Sequence, residues 1–406
     1  YSTDRSMLKL WNTATGREEE FVTLKLGEVG MYACGPTVYG RAHIGNLRAY
    51  VIEDVLRRTL EMTGLKVKHV MNITDVGHLT DDADQGEDKL ERAAQVAKRS
   101  AWDIAGEYTR LFVEDLARLN IEQPWSMPRA TAHIAEQIAL IVKLESKGFT
   151  YRTSDGVYFD TSKFARYGAL SGQLLEEKVE GARVAVNPEK RHSTDFALWK
   201  FSPSISSGLA PLSTRRQMEW ESPWGVGFPG WHIECSAMSR LELGQPFDIH
   251  AGGVDHIQVH HENEIAQSEA AFDQPLARFW FHVEFLLVDG GKMSKSLGNT
   301  FSLDDVKARS FDAMAYRYLL LGVHYRQKQN FTWEALVAAQ RTLDKLRNIV
   351  RDWDAPGEGV EALMADFVAA LEDDLNAPKA LAVLWKLVDA DILSSAKAAT
   401  VPTPRC

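Results

Sequence analysis

The chain has 406 residues and a formal net charge of −10 at pH 7. Hydrophobic residues make up 45% and charged residues 25%, which is ordinary for a globular protein, and the length predicts two or three domains. No apolar run approaches the ~20 residues that a membrane span needs, so we expect no membrane contact. Three cysteines cannot build a disulfide framework, which favours a reducing compartment and hence the cytoplasm. The acidic balance argues against indiscriminate nucleic-acid binding but permits a local basic face.

The first predicted element is a buried strand that ends at Cys34, followed by a Gly-Pro turn and a helix. Apolar residues recur at helical spacing from Ile44 onward, which places His43, Gly45 and Asn46 in the first turn of that helix. Helix N-termini present free N–H groups to phosphate, and a glycine lets a ligand approach the backbone closely. A buried thiol and a hydrogen-bonded histidine beside a turn would explain the same residues without a ligand.

The next segments predict an α/β arrangement that is then interrupted. A second strand at 66–76 completes a βαβ unit over residues 28–76, which implies a parallel sheet. A long helix is predicted from about 87 to 119. From 124 to about 223 a helix, short strands and a Ser/Pro/Gly-rich run indicate a segment inserted into the larger domain.

The parallel-sheet pattern resumes near residue 225. A helix begins near Trp231, a short strand covers 247–250, another helix starts at His260, and a strand covers 280–288. Beyond it, three apolar stripes between residues 336 and 392 predict a small helical bundle. The whole chain is therefore predicted to be an α/β protein with a Rossmann-type parallel-sheet nucleotide-binding core, an inserted subdomain and a C-terminal helical bundle.

Four residues that are far apart in sequence suit a metal ion. Cys34, Cys235, His260 and Glu264 each lie at a strand end or in the helix after it, and such ends converge at one face of a parallel sheet. His260 and Glu264 are four apart and share a helical face. Two thiolates, an imidazole and a carboxylate are typical Zn²⁺ ligands. The alternative is two buried cysteines and a polar helix face.

Two further segments suit a nucleotide. Lys292 and Lys295 lie on a Gly-flanked loop directly after a strand, where they could hold phosphates, although a solvated loop would have the same composition. Gly252 and Gly253 with Asp255 fit a backbone packed against a sugar or base, the carboxylate accepting from ribose hydroxyls.

Taken together, the motifs resemble those of the cysteinyl-tRNA synthetases, a family of class I ligases. The resemblance covers roughly residues 7–390, in the expected order. It rests on Cys34-Gly-Pro-Thr-Val-Tyr39, His43-Ile-Gly-Asn46, Asn72-Ile-Thr-Asp75, Asp195-Phe-Ala-Leu-Trp-Lys200, Pro229-Gly-Trp-His-Ile-Glu-Cys235-Ser-Ala-Met238, His260 to Gln267 and Lys292 to Asn299.

The resemblance implies a role for each matching residue. Cys34, Cys235, His260 and Glu264 would hold one Zn²⁺ per chain, which receives the thiolate of substrate cysteine. His43 and Asn46 match the ends of the HIGH motif, which with Gly45 contacts ATP. Lys292 and Lys295 match the lysines of the KMSKS motif. Thr37, Thr74 and Trp231 match positions lining the cysteine pocket.

The resemblance also implies the reaction and its partners. ATP, with Mg²⁺, would activate cysteine to cysteinyl-adenylate, and the cysteine would pass to tRNA(Cys) on a monomeric enzyme. Five segments are expected: the first half of the catalytic core (1–124), the inserted subdomain (125–223), the second half with the lysine loop (224–300), a stem-contact segment (301–330) and a shortened helical tRNA-binding domain on the anticodon side (331–406). Nine Lys or Arg residues between Lys307 and Arg351, against three acidic ones, suit a phosphate backbone.

Three departures from the family pattern keep alternatives open. The HIGH motif ends in Asn46, which can donate to phosphate without titrating. The Gly-Gly-Val-Asp segment continues as His256-Ile-Gln258-Val259, where many relatives are more apolar. The helical end is short, so the anticodon-reading part is expected to be reduced or absent. One alternative is the related cysteine ligase of mycothiol synthesis, which uses an amino-sugar acceptor; another is an inactive zinc- and RNA-binding paralogue.

Overall fold

The computed structural model describes residues 8–78, 88–172, 187–202, 216–293 and 298–400. The strands are β1 (Lys9–Asn12), β2 (Arg17–Glu20), β3 (Glu28–Ala33), β4 (Lys66–Met71), β5 (Thr150–Arg152), β6 (Gly156–Phe159), β7 (Phe196–Phe201), β8 (Gly227–Pro229), β9 (Phe247–Gly253), β10 (Ala277–Val283), β11 (Leu286–Val288), β12 (Gly291–Lys292) and β13 (Gln329–Phe331). The helices are α1 (Ile44–Met62), α2 (Lys89–Ala97), α3 (Ala101–Arg118), α4 (Ile134–Ser146), α5 (Trp231–Leu243), α6 (His260–Phe272), α7 (Leu303–Ala308), α8 (Ala313–Leu321), α9 (Trp333–Arg351), α10 (Glu361–Glu372), α11 (Ala377–Asp389) and α12 (Ser394–Thr400).

A parallel sheet in the order β10-β9-β3-β4 lies at the centre. Its inner strands, β3 and β9, are almost entirely buried because helices cover both faces. The strand order changes direction between β3 and β9, and Cys34 donates its backbone N–H to Ala251 O at 3.1 Å at this point. In open α/β sheets, ligands bind where the strand order reverses, at the carboxyl ends of the strands. The predicted Rossmann-type α/β core is confirmed.

Three smaller sheets surround this core. The strands β5-β6-β7-β8 form an antiparallel sheet within residues 150–229, β1 and β2 form a hairpin, and β12-β11-β13 form a short mixed sheet. Helices α9 to α12 complete the C-terminal region, where α10 packs against α11 and also contacts α1. No helix within the described ranges is both long and apolar enough to span a bilayer.

Two elements differ from the sequence-based expectation. The helix expected over 87–119 is two helices, because Lys98 adopts a left-handed conformation and Ser100 caps the next helix by accepting from Asp103 N. The strand expected over 280–288 is interrupted between β10 and β11. There the carbonyls of Glu284 and Phe285 accept from the guanidinium of Arg48.

Candidate active site

The four predicted metal ligands meet at the carboxyl end of the central sheet. Cys34 directly follows β3, Cys235 lies on α5, and His260 and Glu264 lie one turn apart on α6. Their ligand atoms all lie within 4.8 Å of one another, and each residue is at least 95% buried. Parallel strands bring these separate segments together because their carboxyl ends share one edge of the sheet.

The charges in this cluster compensate one another. Glu264 accepts from His260 through Oε1 at 2.7 Å and from His250 through Oε2 at 2.6 Å. Burial alone would raise the pKa of Glu264, but the two histidines outweigh it and hold that pKa well below its usual range. Burial opposes protonation of His260, yet Glu264 and Cys235 raise the pKa of His260 to about 10.

The two thiols have opposite pKa shifts. A hydrogen bond with Cys34 lowers the pKa of Cys235 despite its burial, while burial and then the neighbouring Cys235 raise the pKa of Cys34. Two sulfurs, one imidazole and one carboxylate, all withdrawn from water at one point, match the donor set and the closeness that Zn²⁺ requires. These residues therefore fit a zinc ion by their chemistry.

Further buried histidines contact the four residues, and the sequence analysis gave them no role. His261 Nε2 lies 3.3 Å from Cys34 Sγ, and its Nδ1 lies 2.8 Å from His282 Nε2. His232 Nδ1 lies 2.9 Å from His260 Nδ1. Cys34, His250, His261 and Glu264 also come within 4.8 Å of one another. The spacing of His250 and His282 on separate strands offers no signal, because only the pairing of β9 with β10 brings them together.

A cavity of about 400 Å³ opens beside the four candidate metal ligands, Cys34, Cys235, His260 and Glu264 (the metal cluster). The predicted residues on its wall are Cys34, Thr37, His43, Gly45, Asn46, Thr74, Trp231, Cys235, Gly253, Asp255, His260 and Lys292. Glu264 and Gly252 are absent from that wall, and a Cβ at Gly252 would lie 2.6 Å from His256 Nδ1, so this glycine serves close packing. Lys295 lies outside the described residues.

Trp231 and two threonines line one part of the cavity. The Trp231 ring centroid lies 4.6 Å from that of His260, so the indole stands directly beside the metal cluster. Thr37 and Thr74 are paired across the ends of β3 and β4 by backbone hydrogen bonds from Val38 N to Thr74 O and from Thr74 N to Pro36 O, each 3.1 Å.

The first turn of α1 lines another part of the cavity. His43 is the N-cap residue and accepts from Asn46 N, while Asn46 Oδ1 accepts from His43 N, both at 3.2 Å. A Cβ at Gly45 would lie 2.1 Å from Met293 Cε, so Met293 covers this turn closely. Lys292 lies on the same wall with its Nζ 5.5 Å from the ring centroid of Phe285.

Two cationic residues that sequence reasoning missed also line the cavity, Arg41 and Lys89. Arg41 donates to the buried Asp115 at 2.8 Å and also binds Asp304, the second residue of α7. Lys89 Nζ lies 5.5 Å from the ring centroid of Tyr39. Arg41 could have been suspected from its place two residues before His43.

Comparisons with known proteins identify the family of the chain. The family described as "tRNA synthetases class I (C) catalytic domain" matches residues 20–341, and the "DALR domain" matches residues 366–390. The cysteine–tRNA ligase 1 of Burkholderia lata is 52% identical over 395 residues, covering 97% of this chain and 82% of that protein. The cysteine–tRNA ligase of Thermus thermophilus is 44% identical over 390 residues, covering 93% and 79%.

Solved structures of more distant proteins share the fold. A methionyl-tRNA synthetase of Mycobacterium tuberculosis, in complex with methionyl-adenylate, has a TM-score of 0.63 at 16% identity and covers 92% of this chain and 88% of its own. LeuRS of Agrobacterium radiobacter, in a ternary complex with tRNA, has a TM-score of 0.64 at 12% identity and covers 96% and 83%. The chain belongs to the class I cysteine–tRNA ligase family.

Proposed function

We propose that this chain is a cysteine–tRNA ligase that activates cysteine with ATP and transfers it to tRNA(Cys). One observation carries the proposal: the cluster of Cys34, Cys235 and His260 opens into the same cavity as His43 and Lys292. An amino acid held at the cluster would therefore lie beside a nucleotide held at the start of α1. Such proximity converts a bimolecular reaction into an effectively unimolecular one.

Zinc is the proposed resident metal, held by Cys34, Cys235, His260 and Glu264. When bound, it supplies a strong ligand site for the thiolate of cysteine and a poor one for the hydroxyl of serine. Trp231, Thr37 and Thr74 then line the rest of the amino-acid pocket. The discrimination between cysteine and serine at the zinc can exceed the roughly 10–200-fold that a methylene-sized difference gives in an apolar pocket. No editing site is then needed.

The proposed chemistry needs positioning and charge neutralisation rather than a covalent enzyme intermediate. The cysteine carboxylate attacks the α-phosphate of ATP, bound with Mg²⁺, and pyrophosphate leaves. His43, Asn46 and the free N–H groups around Gly45 stabilise the phosphates, with Lys292 opposite them. Lys295 is assigned to the same task from the family resemblance. Asp255 and Gly253, with Gly252 packed behind them, are assigned to the nucleoside.

The second step proposed is attack of a terminal ribose hydroxyl of tRNA on the activated carbonyl, releasing AMP. Exposed basic residues on α9, among them Arg341 and Lys345, are proposed to bind the tRNA backbone. The segment boundaries at 124, 223, 300 and 330 remain part of this proposal. All groups assigned to the site belong to one chain, so a monomer suffices. The cytoplasm is the proposed location.

The deciding experiment is cysteine-dependent exchange between ATP and pyrophosphate, followed by a transfer assay with tRNA(Cys) and a glucosaminyl-inositol offered separately. We expect exchange with cysteine, none with serine, and transfer to tRNA alone. Transfer to the amino sugar would overturn the tRNA assignment, and exchange without transfer to either would point to another acceptor.

A further inference from the structure

Arg48 has an unusual environment for a guanidinium, although it lies only two residues after Asn46. Its side chain is 99% buried and binds no carboxylate that the structure describes. Instead Nη1 donates to the carbonyls of Glu284 at 2.8 Å and Phe285 at 2.6 Å. Nη2 donates to Gln327 O at 2.7 Å and lies 3.5 Å from His324 O. Burial lowers the pKa of Arg48 to about 10, so it is charged at neutral pH.

The first segment that Arg48 binds forms part of the cavity wall. Glu284 and Phe285 line the cavity where β10 ends and β11 begins, and the ring of Phe285 faces Lys292 Nζ at 5.5 Å. A shift of this backbone would move the wall and the surface on which Lys292 rests. The position of Lys292 relative to a bound triphosphate therefore depends on where Glu284 and Phe285 are held.

The second segment that Arg48 binds is a turn, residues 324–327, that contacts the C-terminal helices. Three consecutive residues of this turn hold Asp374, which lies between α10 and α11. His324 Nε2 lies 2.9 Å from Asp374 O, Tyr325 OH donates to Asp374 Oδ1 at 2.5 Å, and Arg326 Nε donates to Asp374 Oδ2 at 2.6 Å. Asp374 is 97% buried, so these bonds are largely protected from water.

The two segments are also joined directly. Glu284 N donates to Tyr325 O at 2.9 Å, and Gln329 N, two residues after the turn, donates to Phe285 O at 3.1 Å. Arg48 thus completes a continuous set of hydrogen bonds that runs from Asp374 through the turn to the cavity wall. Charge-assisted bonds of this kind are stronger and more directional than bonds between neutral groups.

We infer that Arg48 is a positioning residue for adenylate formation, which fixes the Glu284–Phe285 wall of the cavity to the 324–327 turn and so links that wall to Asp374 in the C-terminal helices. The inference rests on the proposed function. It means that a change at Asp374, which touches neither cysteine nor ATP, alters the rate of adenylation in the absence of tRNA.

The test is Asp374→Asn, with Asp373→Asn as its matched control. The amide nitrogen takes the place either of Oδ2, which accepts from Arg326, or of Oδ1, which accepts from Tyr325 and from Trp11 N at 2.9 Å. At least one of the bonds that hold Asp374 is therefore lost. Asp373 pairs only with the exposed Lys379, at 3.3 Å, among the ion pairs of the described residues. In exchange assays without tRNA we expect Asp374→Asn to lower kcat about tenfold, with the KM for cysteine within about twofold of wild type. Asp373→Asn should match wild type.

Two further variants keep the test decisive if Asp374→Asn unfolds. Tyr325→Phe removes a single hydroxyl and should lower kcat about threefold. Arg48→Lys keeps the positive charge but loses the planar guanidinium whose two Nη atoms donate to both segments. It should lower kcat while leaving the KM for cysteine unchanged. In the double variant Arg48→Lys/Tyr325→Phe, the fold-decrease in kcat should be smaller than the product of the two single decreases, because both residues act through one hydrogen-bond network.

The results separate this inference from the function on which it rests. Folded Asp374→Asn and Tyr325→Phe proteins that exchange like wild type would overturn the inference alone. A KM for cysteine raised as much as kcat falls would also overturn it, since that pattern marks general loosening of the core. A wild-type chain without any cysteine-dependent exchange would overturn the proposed function and this inference with it.

Discussion

Asn46 has two roles: it caps helix α1, and it is proposed to contact ATP. Its Oδ1 accepts from His43 N, and its own N–H donates to the His43 ring, so the pair forms a reciprocal cap. The same side chain is exposed on the cavity wall. A carboxylate at this position would keep the cap but would meet the phosphates with the wrong charge.

Asn46→Asp should therefore separate folding from catalysis. We expect an unchanged melting temperature, because an acidic residue in the first turn of a helix is favourable. The exchange rate at subsaturating ATP should fall about 100-fold, the scale of losing one donor to a developing anion. Asn46→Ala is the comparison, since it should lose activity and also about 1 kcal/mol of stability with the cap. A normal exchange rate in Asn46→Asp would exclude phosphate contact.

The metal cluster gives a prediction that does not depend on activity. Cys235→Ser should hold far less than one Zn²⁺ per chain on elemental analysis, because a hydroxyl is a much weaker ligand than a thiolate. Cys406→Ser is the matched control and should retain the wild-type zinc content. Equal zinc in both variants would show that Cys235 is not a ligand.

At the scale of elements, the contact of β4 with α1 contains an unpaired histidine. His69 is 99% buried, and neither ring nitrogen has a hydrogen-bond partner in the described part of the chain. Burial, and next the nearby Arg57, lower the pKa of His69 to about 3. In the unfolded chain a histidine titrates near ~6.5. The folded chain therefore favours the neutral imidazole of His69. The stability that follows from this is fully present above pH ~6.5 and is lost as the pH falls toward 3.

His69→Phe should remove this acid sensitivity while filling a similar volume. Between pH 7 and pH 5 the wild-type chain should lose about 2 kcal/mol more unfolding free energy than the variant. Urea denaturation followed by tryptophan fluorescence at both pH values measures the difference. Parallel pH dependence of the two proteins would mean that the wild-type ring finds a partner when charged.

The same scale shows what could be predicted from sequence and what could not. β9 was predicted over 247–250 but continues to Gly253, because pairing with β10 extends it through two glycines. The end of β3 was predictable because its apolar run stops at a Gly-Pro turn, and this placed Cys34 at the site. The histidines at 250 and 282 were not, because each lies on a strand whose neighbour is set by long-range pairing. The break at Lys98 was also missed, since no glycine or proline marks it and its left-handed backbone is imposed by the packing of α2 on α3.

At the scale of the whole molecule, the basic residues of α9 differ in how available they are. Arg341, Lys345 and Arg347 are all exposed. Arg347, however, binds Asp312 at 2.6 Å, and Lys345 Nζ lies 5.2 Å from the ring centroid of Trp385. Arg341 is therefore the strongest candidate for a phosphate contact. Exposed ion pairs contribute little to stability, so these residues can be changed without unfolding the chain.

Replacing Arg341, Lys345 and Arg347 by Gln should weaken tRNA binding and flatten its dependence on salt. The slope of log K against log salt should decrease in magnitude by about two, since each phosphate contact contributes roughly 0.7–0.9. Cysteine-dependent pyrophosphate exchange should stay at the wild-type rate. Unaltered transfer to tRNA would refute the assignment of this face. A swapped anticodon, tested in parallel, would show whether the helices matched by the DALR domain contribute to tRNA selection.

Helix α6 does more than carry two of the proposed zinc ligands. Glu262 accepts from the backbone N–H groups of Gly168, Leu170 and Ser171 at 2.7–3.1 Å, and Asn263 accepts from Tyr167 at 2.6 Å. The buried polar residues of this one helix are His260, His261, Glu262, Asn263, Glu264, Gln267 and Ser268. The helix thus fastens the 167–171 segment with the same turns that carry the proposed zinc ligands.

In evolutionary terms, α6 is where this fold gives up stability for activity. Selection for stability alone would replace buried charges by apolar residues of similar volume, which often stabilises a protein. Here such a replacement would abolish a ligand or release the 167–171 segment, and leaving one partner unpaired would be strongly destabilising. Among variants selected for activity after random mutagenesis, the sequence of α6 should therefore stay almost unchanged. The exposed face of α9 should vary freely as long as its positive charge is kept.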